Sequence, residues 1–325
     1  MGKKLTALFL ALLIVLSGIM PAEAKAGGLY NKHGRLSVKG TQIVDKNGKA
    51  FVLKGASTHG LSWYPEYVNK KAFKTLRSYG ANCVRLAMYT SEYNGYCTGG
   101  NKTQLENLVA KGVKYATELN MYVIIDWHIL NDGNPKTYQS QAVKFFKKMA
   151  KKYKNNGHVI YEICNEPNGC SWSDVKSYAK KVIKTIRTYD KKNLIIVGTP
   201  TWSQDVDVAA QSKLSGKNLV YACHFYAATH KKWLRQKITA ARKKGLCVMI
   251  SEYSITDASG SGTVDKTSAK AWAKYIDKYK MSYIQWSLCN KNEKSAIIKS
   301  SCAKKSGWTS SNLTTTGKYF KSRMK

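Results

Sequence analysis

The sequence predicts an α/β fold, a single (β/α)8 barrel with a small N-terminal hairpin, and two observations support this. Eight short, near-continuously apolar segments recur along the chain, separated by amphipathic stretches whose wet faces carry lysines. Strands buried on both faces read as unbroken apolar runs, and the helices that cover them repeat every 3.6 residues. A doubly wound sheet is the alternative, but no Gly-rich phosphate turn follows the first strand. No Ser/Thr/Pro-rich linker divides the 325 residues, and a barrel of this kind takes about 250.

Residues 1–24 read as a signal peptide. Lys3 and Lys4 precede an apolar run at 8–16 and a small-x-small site at Ala22-Glu23-Ala24. That run is shorter than the roughly 20 residues a membrane span needs. The mature chain, 25–325, is therefore expected to be one secreted, extracellular domain without membrane attachment. Residues 28–49, with Asp45-Lys46-Asn47-Gly48 as the turn, read as the hairpin. Strands are expected at 51–57, 82–89, 122–128, 159–165, 194–199, 219–226, 246–253 and 283–289. Helices are expected at 69–79, 103–119, 138–153, 172–189 and 264–279, with a last one near 314–324.

The chain has 54 Lys+Arg against 19 Asp+Glu, a formal charge of +35, yet it is 43% hydrophobic with a mean hydropathy of −0.39. That composition excludes a disordered chain and a multi-span membrane protein. The charge suggests an anionic partner, but only seven of the basic residues are Arg, the side chain that base and phosphate recognition favours. The lysines are spread over nearly every helical stretch, as in Lys70, Lys71 and Lys74 or Lys180, Lys181 and Lys184. They read as a solvated outer ring, with no nucleic-acid partner. Of eight cysteines, Cys83, Cys164, Cys223, Cys247 and Cys289 fall in apolar runs, whereas Cys97, Cys170 and Cys302 fall in loops that leave room for one disulfide. No CxxC pair or Cys/His ligand spacing appears, so no metal site is expected.

In a barrel of this type chemistry sits where strands end. Glu66, Glu92, Glu106, Glu118, Asp174, Asp190, Asp265 and Asp277 fall on helices or polar loops and read as surface caps or charge-balancing groups. Asp126, Glu162, Glu166 and Glu252 lie in or at the ends of buried strands, where a carboxylate is costly unless paired or functional. Glu162 reads as a structural ion pair inside the barrel and Asp126 as a group that orients its neighbours. Glu166 and Glu252 end strands four and seven. Two carboxylates facing each other across a barrel mouth suit glycoside hydrolysis, one protonated to assist the leaving oxygen and one ionised to attack. Arg85 and Tyr226, at the ends of other strands, would hold Glu252 ionised.

Taken together, GASTHGLSWYP at 55–65, NCVRLAMY at 82–89, VIIDWHIL at 123–130, YEICNEPNG at 161–169, TPTWSQD at 199–205, YACHFYAATH at 221–230, MISEYSITDASGSG at 249–262 and IQWSLCNKNE at 284–293 resemble glycoside hydrolase family 5, in its bacterial-type endo-β-1,4-glucanase (cellulase) branch. The resemblance covers essentially the mature chain. It implies a (β/α)8 catalytic domain over 25–325, retaining double displacement, no cofactor, and a β-glucan polysaccharide as substrate; a monomer is expected. It implies that Glu166 is the acid/base and Glu252 the nucleophile. Asn165 would contact the 2-hydroxyl of the sugar being cut, with Arg85, His128, His224 and Tyr226 around it and Trp286 beneath it. His59, Trp63, Tyr89, Lys291 and Glu293 would bind the non-reducing side, and Trp202 the leaving-group side. Trp172, Trp233, Trp272 and Trp308 match no motif and read as packing or helix-surface residues. Tyr253 and Ser254 depart from the aromatic-Gly that many relatives carry after the nucleophile. Other β-1,4-glycans (mannan, xyloglucan, xylan or mixed-linkage glucan), or a non-catalytic polysaccharide-binding barrel, remain as alternatives.

Overall fold

The computed structural model describes residues 29–325, so the expected signal peptide lies outside the described residues. Eight parallel strands close a barrel: β1 (Lys54–Thr58), β2 (Cys83–Tyr89), β3 (Tyr122–His128), β4 (Val159–Glu162), β5 (Ile195–Val197), β6 (Leu219–Tyr226), β7 (Val248–Ser254) and β8 (Tyr283–Leu288), with β8 pairing back onto β1. All eight expected strands are present. The fourth is shorter than expected and stops at Glu162, leaving 163–169 as irregular chain at the barrel mouth.

Helices Lys70–Tyr79, Lys102–Glu118, Gln139–Tyr153, Trp172–Tyr189, Val206–Gln211, Lys232–Lys243, Lys266–Lys278 and Thr315–Arg323 ring the barrel. Local chemistry starts several of them. Asn69 accepts a hydrogen bond from the Ala72 amide and Asn101 from that of Gln104, and Ser171 with Asp174 forms a capping box.

The side chains alternate across each strand. Outward residues such as Val84, Ile125, Tyr161 and Phe225 pack against the helices. Inward residues Cys83, Tyr122, Ile124, Ile160, Ile196, Val220 and Met249 fill the lower barrel. Gly55 is required there, because a Cβ would come within 1.8 Å of the Cys83 carbonyl oxygen. Leu36, Ile43 and Phe51 join this inner cluster from the N-terminal hairpin, which plugs the base.

The hairpin pairs Ser37–Lys39 with Gln42–Val44, turning at Gly40 and Thr41. The turn expected at 45–48 is also present and makes a second reversal: the Gly48 amide donates to the Asp45 carbonyl, and Val44 pairs antiparallel with Ala50. Asp45 accepts bonds from the Asn47 and Lys49 amides and faces the His33 ring, which fixes this turn. All eight cysteines are free thiols, so the three loop cysteines form no disulfide.

Candidate active site

Above the apolar plug the inward positions turn polar, and Arg85 is their hub. Its guanidinium is fully buried and reaches Glu162 (Nε, 2.7 Å), Glu252 (Nη1, 3.0 Å), Asp126 (Nη2, 3.0 Å) and the Asn165 amide oxygen (Nη2, 2.6 Å). The ion pair expected of Glu162 is thus present, and its carboxyl is held at about 2: burial opposes ionisation, but Arg85 and His224 outweigh it. Burial pushes the Asp126 carboxyl well above the usual range despite Arg85. Because the Asn165 oxygen faces Arg85, its amide nitrogen points to the Ile129 carbonyl (3.0 Å) and His128 Nε2 (3.3 Å). His128 therefore carries its proton on Nδ1, 2.6 Å from Asp126. Burial first, then Arg85, lowers this ring to about 3, so it is neutral.

Glu252 enters the site through a backbone irregularity. Between β6 and β7 the register passes from Ala222↔Met249 to His224↔Glu252, one extra residue on β7, and the pairing with β8 shifts over the same stretch. This bulge lets both Ser251 and Glu252 face inward, while Tyr253 packs outward among Phe225 and Tyr283. Each Glu252 oxygen then has a donor: Arg85 on Oε2, and the Tyr226 hydroxyl on Oε1 at 2.9 Å. Burial and the charge of Glu252 push the Tyr226 phenol well above its ordinary value, so it remains a donor.

Glu166, on the loop after β4, meets different company. Its Oε1 lies 2.8 Å from Nδ1 of His224. On the far side of that ring Nε2 donates to Ser251 Oγ (2.9 Å), which donates to Glu162 Oε1 (2.6 Å). Burial would depress His224, but Glu162, Glu166 and Glu252 raise it to about 9, so the ring is an imidazolium that also donates to Glu166. One oxygen of Glu166, one nitrogen of His224 and one oxygen of Glu252 all lie within 4.8 Å of one another.

These groups open onto a cavity of about 640 Å³ at the carboxyl ends of the strands. Its wall includes His59, Tyr89, His128, Trp202, Tyr226, Trp286, Lys291 and Glu293. His128 and Trp286 stack at 5.1 Å, and Tyr89 meets the His128 edge at 4.5 Å. Trp63 stands beside His59 and Tyr89 and is anchored by its indole N–H to the Tyr93 carbonyl. Lys291 and Glu293 pair at 2.6 Å. Arg85 and Asn165 lie beneath the cavity floor, 0% and 1% exposed.

Two expectations need correction. Glu92 is buried and accepts the Asn131 amide, tying two mouth loops together. Asp190 is buried at a helix end, where it accepts the Tyr161 hydroxyl and the Lys192 and Asn193 amides. Of the four tryptophans without a motif, Trp172, Trp272 and Trp308 are buried packing residues, and Trp233 lies on a helix surface, 43% exposed, where it also lines the cavity. Ser251, which links Glu162 to His224, carried no motif of its own; its place just before a strand-end glutamate is the one signal that could have found it.

A closed parallel barrel with two facing carboxylates and an aromatic cleft at its strand ends defines a glycoside-hydrolase-type barrel. Residues 44–292 match the family described as Cellulase (glycosyl hydrolase family 5), and the chain belongs to that family. It is 48% identical over 291 residues to an endoglucanase of Clostridium saccharobutylicum, covering 89% of this chain and 64% of that one. Endoglucanase A of Butyrivibrio fibrisolvens is 46% identical over 286 residues, covering 86% and 66%. The chain thus spans just under two thirds of the length of these relatives. Among solved structures, a cellulase, Cel5C_n, superposes with a TM-score of 0.88 at 40% identity, covering 93% of this chain and 95% of that one. The catalytic domain of Thermobifida fusca endoglucanase Cel5A in complex with cellotetraose superposes with a TM-score of 0.87 at 31% identity, covering 92% and 99%.

Proposed function

We propose that this protein is a secreted endo-β-1,4-glucanase that cuts internal bonds of cellulose-type β-glucans with retention, Glu252 serving as nucleophile and Glu166 as acid/base. The asymmetry of the two carboxylates carries this reading. Glu252 has a donor on each oxygen and is held as an aligned anion, whereas Glu166 has one oxygen on His224 and the other turned to the cavity.

An oxygen of Glu252 attacks the anomeric carbon as Glu166 passes its proton to the departing oxygen. This gives a covalent glycosyl-enzyme and a free reducing-side chain. Water then enters, Glu166 takes its proton, and the ester to Glu252 breaks with the β configuration restored. The short distance between the carboxylates supports this route, because inverting enzymes hold theirs about 6.5–9.5 Å apart to admit a water. The rings of Trp286 and Trp63, stacked on neighbouring histidines, and the exposed ring of Trp202 suit the C–H faces of β-linked glucose, and the Lys291–Glu293 pair suits its equatorial hydroxyls. The endoglucanase names of the relatives and the cellotetraose held by the Thermobifida fusca structure favour glucan as substrate. Export is supported by the charged and apolar N-terminal sequence. Among the described residues, no helix is long and apolar enough to cross a membrane.

Hydrolysis of carboxymethylcellulose, barley glucan, mannan and xylan, followed side by side by viscosity and reducing ends, tests the reading. Rapid viscosity loss with few new ends on the cellulosic polymer is expected. Preference for mannan or xylan would move the assignment to another β-glycan, and binding without cutting would remove the catalytic role.

A further inference from the structure

Trp233 matches no motif and the proposed reaction does not use it, yet it stands 43% exposed on the wall of the catalytic cavity. A large ring left this open on a folded surface points to a ligand face when it adjoins a built site. It projects from the first turn of helix Lys232–Lys243, which follows β6. The His230 ring meets its edge at 5.7 Å, and the Lys237 ammonium lies over it at 5.8 Å. His230 is itself fixed, its Nδ1 accepting the Tyr226 amide at 2.8 Å. The ring is therefore oriented on the same strand end that places the Tyr226 hydroxyl on Glu252.

The second exposed tryptophan of this cavity, Trp202, is 44% exposed. It sits in a run of three non-glycine residues, Thr201, Trp202 and Ser203, all left-handed with φ of 55°, 52° and 57°. Such a run survives only when its surroundings hold it. Thr201 donates to Asp205 at 2.6 Å, and Asp205 pairs with Lys237, one helical turn beyond Trp233. One chain of contacts, Thr201–Asp205–Lys237–Trp233, thus links the two tryptophan-bearing elements. Gln204 and Thr229 line the same cavity and offer polar partners for ring hydroxyls.

We infer that Trp233 is a second sugar-stacking platform on the leaving-group side, outside Trp202, that takes a further glucose ring of a long β-1,4-glucan. This rests on the proposed glucanase reading and deepens it by extending the cleft along the reducing-side chain. Both rings are pre-positioned, so a long chain gains their stacking without ordering a loop first.

The test uses cellotriose and cellohexaose, the latter labelled at its reducing end with ¹⁸O so that the cut bond can be located. In wild type, kcat/KM rises from the trimer to the hexamer, and cutting falls well inside the chain. In Trp233→Ala the gain between trimer and hexamer shrinks about ten-fold, equivalent to roughly 1.4 kcal/mol, and cuts move towards the reducing end. Trp233→Phe, which keeps an apolar ring, restores most of the gain and the wild-type cutting pattern. A merely structural role would lower both substrates together and leave the pattern in place. Unchanged chain-length gain and cutting pattern in Trp233→Ala would overturn the inference. Failure of the wild-type protein to cut cellohexaose would instead count against the glucanase reading.

Discussion

Arg85 donates to Oε2 of Glu252 at 3.0 Å, and the same guanidinium holds Glu162 at 2.7 Å. With Asp126 at 3.0 Å, one buried cation thus serves three carboxyl groups, two inside the barrel and one at the cavity. Replacing it by Met would keep the volume but strand these groups without their cation. Breaking a buried pair this way costs about 3–5 kcal/mol, so Arg85→Met should unfold at a much lower urea concentration. A midpoint equal to wild type would show that these contacts do not hold the barrel together.

Tyr226 acts on the other oxygen of Glu252, at the mouth and not in the core. A hydrogen bond to a charged group is worth about 1.5–3 kcal/mol. Tyr226→Phe should therefore lower kcat/KM on cellohexaose by roughly 10- to 150-fold, with little change in melting temperature. A loss in stability matching the loss in rate would mean that the hydroxyl supports the fold instead of the nucleophile.

Ser251 passes a hydrogen bond from His224 to Glu162, and Glu162, with Glu166 and Glu252, holds His224 protonated up to about pH 9 against the effect of burial. If the imidazolium supports Glu166, the rate should fall as the pH rises through about 9. Ser251→Ala removes the acceptor on Nε2 and should draw that alkaline limb down by about half to one pH unit, the effect of losing roughly 1 kcal/mol of preference for the charged form. Ser251→Thr, with the hydroxyl kept, should leave it near wild type. An identical limb in the Ala variant would exclude Ser251 from control of His224.

Much of this architecture was readable in advance because buried parallel strands leave a strong apolar signature. Period-two alternation along β2 and β3 also turns Arg85, Asp126 and His128 to one face, where they meet. The same rule fails on β7: if Met249 faces in, so should Ser251, and Glu252 should face out. The bulge brings both inward, and no glycine or proline in Val248–Ser254 announces it. Glu92 and Asp190 looked like surface groups because their partners are backbone amides and a hydroxyl supplied by folding, which no composition reveals. Trp233 and Trp272 sit in similar lysine-rich helical sequence, yet Trp272 stacks on Phe225 at 3.9 Å while Trp233 meets the cavity. How each helix docks on the barrel decides between them.

His158 carries a pH dependence that can be separated from catalysis. It precedes β4 on the plug side of the barrel, 4% exposed, with Nε2 2.7 Å from the Thr117 hydroxyl and its ring against Tyr30 at 5.3 Å. Burial, with a smaller push from Arg35, lowers it to about 4, against an ordinary 6.5. Between those values the unfolded chain takes up a proton that the folded chain refuses, so stability is lost as the pH falls from 6.5 through 4. His158→Gln keeps a hydrogen-bonding side chain and removes the titration. The stability difference between wild type and this variant, read from urea midpoints, should be constant above pH 7. It should then shift against wild type by about 1.4 kcal/mol per pH unit through the window. Arg35 is the charged group facing the ring, so 0.5 M salt should weaken only its minor share and leave the burial effect in place. A difference that stays flat from pH 7 to 4 would mean that His158 accepts its proton in the folded barrel and that this buried pocket does not resist charge.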